Sequence, residues 1–188
     1  MKIPVVDNGG QWTHREWRVL RDLDVDSEIV PNTRDLAGAD VDGIVLSGGA
    51  LSVEASDAPL GAIDGWIDAV AVPVLGICVG HQYLARHFGG IVTRNTSPAF
   101  GRVALTVDEP SHPLFRGLPD HQQVWESHND SVTQVPPGWQ RLAHSDGCPV
   151  EAMTHPTRPI FGVQFHPEVE HTEQGREIFR RFLDACRR

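Results

Sequence analysis

The stretch V-L-G-I-C-V-G-H-Q, Val74 to Gln82, sets a cysteine between glycines two places before and two places after it. An apolar run that ends in G-x-C-x-G and enters a helical pattern has the form of a nucleophile elbow, where the reactive residue sits on a strained turn above a sheet. Glycine is needed at both flanks because side chains there would collide with neighbouring strands or with the turn. The same turn places Cys78 near a helix N-terminus, where unpaired N–H groups and the helix dipole favour the nucleophilic thiolate. Free cysteine is also among the most buried residue types. Taken alone, the stretch fits a structural thiol equally well.

A thiol nucleophile needs a base, and the candidate lies in G-V-Q-F-H-P-E-V-E-H-T, Gly162 to Thr172. Pro167 biases His166 toward extended backbone, and side chains two apart on an extended segment share a face. Glu168 can therefore reach back to the His166 ring, fix its tautomer and stabilise its cation, the part of the third member of a catalytic triad. The plain alternative is a strand-end histidine paired with a surface glutamate. A third element, L-S-G-G-A at Leu46 to Ala50, puts two glycines straight after a buried strand. Such a turn can aim backbone N–H groups at an anion, as the oxyanion of acyl transfer requires. The N–H groups of Gly49 and of Val79, which follows the cysteine, are the candidates; a plain tight turn is the alternative.

The elements that must position these groups are of two kinds. Ile3 to Val6, Val25 to Val30, the G-I-V-L end of Ala39 to Leu46, and Val72 to Ile77 read as strands. Helical spacing covers Gln11 to Leu23, where Trp12, Glu16, Val19, Leu20 and Leu23 fall on one side, and also Ile63 to Val70 and Gln82 to Phe88. Trp12 and Trp17 read as packing residues. Alternating strands and helices predict a largely parallel sheet covered on both faces, with function at the carboxyl ends of its strands. In the second half, Gly101 to Val107, Gln123 to Trp125, Gln140 to Ala143, Val150 to Met153 and Ile160 to Phe165 read as short strands. The last two are joined as a hairpin through T-H-P-T-R-P. Glu173 to Cys186 closes the chain as an amphipathic helix with Ile178, Phe179, Phe182 and Leu183 on one face.

Composition narrows the classes. The 188 residues suit one domain, and there is neither an export-type leader pattern nor an apolar run of membrane-spanning length. A formal charge of -9 argues against a nucleic-acid binder. Of 16 cationic residues only Lys2 is lysine, a skew with no bearing on mechanism. The three cysteines, Cys78, Cys148 and Cys186, form no C-x-x-C pair and read as reduced thiols. The ten histidines fall into no zinc-ligand spacing.

G-I-C-V-G-H-Q, L-S-G-G and G-V-Q-F-H-P-E, in their places along the whole chain, resemble the class I (triad) glutamine amidotransferases. The resemblance implies a three-layer, flavodoxin-like α/β fold with a largely parallel central sheet plus extra short antiparallel strands in the second half, as a single domain over residues 1–188. It implies a triad of Cys78, His166 and Glu168, an oxyanion hole at Gly49 and Val79, and glutamine-binding positions at Gly48, Gln82, Ser127, His128 and Asn129. Residues 127 to 130 would act largely through their backbone. The chain departs from the family at Ala50, where proline is usual, and at Val79, where an aromatic residue or leucine is commoner. It also departs at His81 and Asn129.

V-V-D-N-G-G-Q at 5 to 11, V-W-E-S-H-N-D at 124 to 130 and H-P-E-V-E-H-T-E-Q-G at 166 to 175 are similar to the glutaminase part of GMP synthases. Chorismate-linked relatives carry serine where this chain has Val169. No S-G-G-x-D-S phosphate loop occurs, so the resemblance is to the two-subunit, archaeal-type form. It implies a separate ATP pyrophosphatase subunit that binds XMP and uses ATP and Mg, no cofactor in this subunit, and a cytoplasmic location. The rival readings are a glutaminase serving another synthase, a γ-glutamyl hydrolase, and a non-catalytic nucleotide-binding module.

Overall fold

The computed structural model of the chain describes residues 1–54 and 60–187. Four short apolar runs make the centre of the sheet: β1 (Val5–Asn8), β3 (Ile44–Gly49), β4 (Val74–Ile77) and β9 (Ile160–Val163), with β2 (Ile29–Pro31) at one edge. These five pair in parallel in the order β2-β1-β3-β4-β9. Their near-continuous hydrophobicity is what burial on both faces demands. The sheet then continues with antiparallel strands, β8 (Ala152–Thr154), β7 (Gln140–His144), β5 (Ile91–Val107) and β6 (His121–Gln134), to give nine strands among the described residues. The β8–β9 hairpin lies where T-H-P-T-R-P predicts it.

Among the described residues three α-helices flank this sheet. α1 (Thr13–Arg21) packs on β1, β2 and β3 and touches α3 (Gly175–Cys186). α2 (Val79–His87) packs over β3, β4 and β9. The predicted apolar face of α3 is buried at Ile178, Phe179, Phe182 and Leu183. Among the described residues no helix is long and apolar enough to cross a membrane.

The structure corrects three expectations. Ile63 to Val70 is a 3₁₀ turn at Ile63–Gly65 followed by further turns, with Ile63, Trp66 and Ile67 buried. Its carbonyls at Ile67 and Val70 accept the Arg158 guanidinium at 2.7 and 2.8 Å instead of continuing a helix. The strands read as short at 101 to 107 and 123 to 125 are a paired ribbon of 17 and 14 residues. α1 starts two residues later and ends two earlier than its periodicity suggests.

Candidate active site

Cys78 sits where β4 ends and α2 begins, at φ +50° and ψ -103°, a conformation that costs energy for a residue with a side chain. The neighbours force it. A Cβ on Gly76 would lie 2.7 Å from the Gly80 backbone, and one on Gly80 would lie 2.4 Å from the Leu46 carbonyl oxygen. No side chain fits at either point, so β4, the turn and α2 can approach only with glycine there. The Cys78 N–H is tied to the Val163 carbonyl at 2.9 Å. The elbow is thus fixed to β9, the strand that delivers the base.

His166 lies three residues beyond the end of β9. Its Nδ1 lies 2.7 Å from Glu168 Oε1, with both side chains almost wholly buried. The carboxylate can only accept, so Nδ1 carries hydrogen and Nε2 is the atom left for chemistry. Among the described residues Nε2 finds no hydrogen bond of good geometry, yet the Cys78 sulfur is close enough to act on the ring as a charge and as a weak hydrogen-bond partner. Loose thiol–imidazole geometry is common before substrate arrives. Burial works against the charged ring, but Glu168 and Cys78 outweigh it and hold the histidine well above its ordinary range. The ring is further fixed by Trp12, edge-on at 4.5 Å. Its backbone is pinned by the Trp125 carbonyl at 2.9 Å and by the Thr172 hydroxyl, which donates to the His166 carbonyl at 2.6 Å.

The cysteine and histidine open into a cleft of about 360 Å³. Gly48, Gly49, Val79, Gln82, Ser127, His128 and Asn129 all line it. The structure therefore brings every predicted site residue to one place, with Glu168 just behind His166. Gly49 pairs with Gly9 at the end of β3. Val79 is the first residue of α2, where the N–H has no intrahelical acceptor. Gln82 departs from expectation: both hydrogens of its amide are used, on the Asp130 carbonyl at 2.6 Å and on Gln164 Oε1 at 3.2 Å. Only its carbonyl oxygen is left for a ligand. The His128 ring turns away from the cleft toward Glu126, so His128 lines the wall through its backbone.

Two residues of the site were not legible as such. Trp12, read as packing, lines the cleft against His166. Glu16, read as one of a helical apolar set, is 1 % exposed and accepts the Gly48 N–H at 3.3 Å. Burial, and next the nearby Glu168, push its carboxyl well above the usual range. The signal for both was their spacing from D-N-G-G, which carries them to the end of β3. There Asn8 and Thr13 bond Ser47 and lock the two strand ends together.

A thiol on a strained elbow, a histidine oriented by a buried carboxylate, and a glycine turn beside them on a parallel α/β sheet define a cysteine-dependent acyl-transfer site. The glutamine amidotransferase class-I family matches residues 4–186, and the chain belongs to it. It is 50% identical to a glutamine-hydrolyzing GMP synthase subunit of Thermoplasma acidophilum over 187 residues, covering 99% of this chain and 93% of that one. It is 47% identical to the protein of the same name from Thermococcus kodakarensis, with 98% of each chain covered. A crystal structure of a GMP synthase subunit protein from Thermoplasma acidophilum superposes with a TM-score of 0.93 at 49% identity, over 100% of this chain and 94% of that one. A glutamine amidotransferase structure from Thermotoga maritima, 20% identical with a TM-score of 0.75 over 100% of this chain and 82% of that one, shares the fold.

Proposed function

We propose that this chain is the glutamine-hydrolysing subunit of a two-subunit GMP synthase, with Cys78, His166 and Glu168 as its triad. The observation that carries the chemistry is the buried His166–Glu168 pair set against a cysteine on a strained turn. The choice of synthase is supported by relatives, themselves named as subunits, that align with nearly the whole chain.

The Cys78 thiolate attacks the side-chain carboxamide carbon of glutamine. The negative charge that develops on the carbonyl oxygen is taken by the N–H groups of Gly49 and Val79. His166, charged and held by Glu168, gives its Nε2 proton to the leaving nitrogen, and ammonia departs as the thioester forms. A water then loses a proton to the same Nε2 and attacks the thioester; the thiolate leaves and glutamate is released. Ser127, His128 and Asn129 wall the glutamine chain through their backbone, and Gly48 and the carbonyl of Gln82 complete the pocket. At neutral pH free ammonia becomes ammonium and loses its lone pair. It therefore passes directly to a partner ATP pyrophosphatase subunit, which uses ATP and Mg to activate XMP for amination to GMP.

The test is glutamine-dependent GMP formation by the chain mixed with an ATP pyrophosphatase subunit, ATP, Mg and XMP. The wild type should support it, whereas Cys78→Ala should support only the ammonia-dependent reaction. Glutamine-dependent activity retained in the alanine variant would remove the triad. Glutamine hydrolysis without GMP formation would point to another synthase.

A further inference from the structure

β6 turns a row of polar side chains inward: Gln122, Glu126, His128 and Asp130 alternate with outward residues on one face, with Val124 among them. His128 Nε2 lies 3.0 Å from Glu126 Oε2, and its Nδ1 lies 2.9 Å from the Asp130 carbonyl oxygen. A second acid, Glu151, fully buried just before β8, meets Glu126 carboxyl to carboxyl and accepts the Ser145 hydroxyl at 2.6 Å. Glu126 Oε1 and Glu151 Oε2 are both buried, and neither finds a donor among the described residues. Two carboxylates cannot hydrogen-bond each other, but an acid and a carboxylate can. One proton between them satisfies both orphaned oxygens.

None of these side chains takes part in the chemistry above, yet the cluster is joined to the cleft. The Asp130 carbonyl that receives His128 Nδ1 also receives Gln82, and residues 127 to 130 wall the pocket. We propose that Glu126 and Glu151 share a single proton, with Glu151 the acid and Glu126 the carboxylate of a charged His128. We further infer that this neutral cluster positions the glutamine-pocket wall and keeps a second negative charge away from Cys78. The proposal rests on the glutaminase reading for its kinetic consequence, though not for the location of the proton.

Burial opposes ionisation of both acids. For Glu151 the hydrogen bond and charge of Glu126 add to it and push the carboxyl well up. For Glu126 the bond from Glu151 and the His128 ring overcome burial and bring it below the usual range. The other titratable groups around the pair are Cys148, His166 and Cys78, with His81 on α2 facing His128. Ionisation of Glu151 at high pH would leave the cluster with a net negative charge beside the nucleophile. That charge would oppose the negative charge of the Cys78 thiolate.

The experiment compares wild type, Glu151→Gln and Glu126→Gln by infrared spectroscopy, by peptide-resolved iodoacetamide labelling of Cys78 across neutral to alkaline pH, and by glutaminase kinetics. The difference spectrum of wild type minus Glu151→Gln should show the carbonyl band of one buried protonated carboxyl, distinct from that of Glu16, which both proteins keep, and Glu151→Gln should stay within about threefold of wild-type kcat/KM. Glu126→Gln keeps an acceptor for His128 Nε2 but removes the negative charge that balances the ring, and should raise KM for glutamine about tenfold or more, with a smaller change in kcat. At one and the same alkaline pH Cys78 should label faster in Glu151→Gln than in wild type, whereas at neutral pH the two should label alike. Absence of the band from that difference spectrum, or equal Cys78 labelling of wild type and Glu151→Gln at alkaline pH, would each overturn the proposal. The band and the labelling need no turnover, so they decide it even if Glu126→Gln fails to fold or the chain hydrolyses no glutamine.

Discussion

The N–H of Gly48 donates to Glu16 Oε1 at 3.3 Å, so an acid on the first helix holds the residue next to the candidate oxyanion donor Gly49. Its other oxygen is buried with no donor among the described residues. A neutral carboxyl suits this place, because an ionised one would stand close to Glu168, which the mechanism needs charged.

Glu16→Gln should therefore stabilise the protein at neutral pH. In the unfolded chain glutamate releases its proton near pH 4.3, whereas burial and Glu168 keep the native Glu16 protonated to much higher pH. The native state then binds more protons than the unfolded one, so the stability owed to this group falls as pH rises from the unfolded value through the raised native one. Glutamine in its place keeps the acceptor for Gly48 and has nothing to ionise. Chemical denaturation at neutral pH should show a gain of about 1 kcal/mol or more, with a flatter pH profile. A loss of stability would mean that Glu16 is charged in the native state.

His166 and Glu168 give a second pH-dependent prediction. Burial disfavours the imidazolium, but Glu168 and Cys78 overcome it and hold the native ring charged above its usual range. The stability contributed is fully present below about pH 6.5, the unfolded histidine value, and is lost as pH rises through the native one. Glu168→Gln should remove that alkaline loss and lower kcat about 100-fold or more, because the Nδ1 tautomer is no longer fixed. Unchanged kcat with glutamine at this position would exclude Glu168 from the triad.

The parallel half of the sheet was legible because strands buried on both faces need apolar residues, and β4 and β9 are apolar throughout while β1 and β3 open on apolar residues. The elbow was legible because its glycines answer to contacts only glycine allows. β6 was not, although its burial alternates with period two. Its inward positions include Glu126, His128 and Asp130, so hydrophobic periodicity had little to register. Ile63 to Val70 failed for the converse reason: its apolar spacing suits a helix, but Arg158, distant in sequence, takes the carbonyls. Glu16 lay in a correct helix, yet its role depends on where β3 ends beside it.

The elbow contacts set a mutational contrast. Gly80→Ala puts a Cβ 2.4 Å from backbone that cannot yield without moving β3, and should cost about 2–4 kcal/mol in urea denaturation. Gly147→Ala meets nothing within 4 Å and should stay within about 0.5 kcal/mol of wild type. Equal effects at the two sites would mean that the elbow relaxes.

Trp12 supplies the last test, because its ring touches the base. Its edge contact with His166, at 4.5 Å and 78°, is of the kind worth about 0.5–1.5 kcal/mol beyond simple burial. If that energy serves to hold the ring at the angle that reaches Cys78, losing it should appear in kcat, at roughly two- to tenfold. Trp12→Ala should then lower kcat within that range, and Trp12→Phe, which keeps an aromatic edge, should recover most of it. KM for glutamine separates this from a pocket role, since Trp12 also lines the cleft. A rise in KM at constant kcat would assign Trp12 to the substrate and leave Glu168 alone as the orienter of His166.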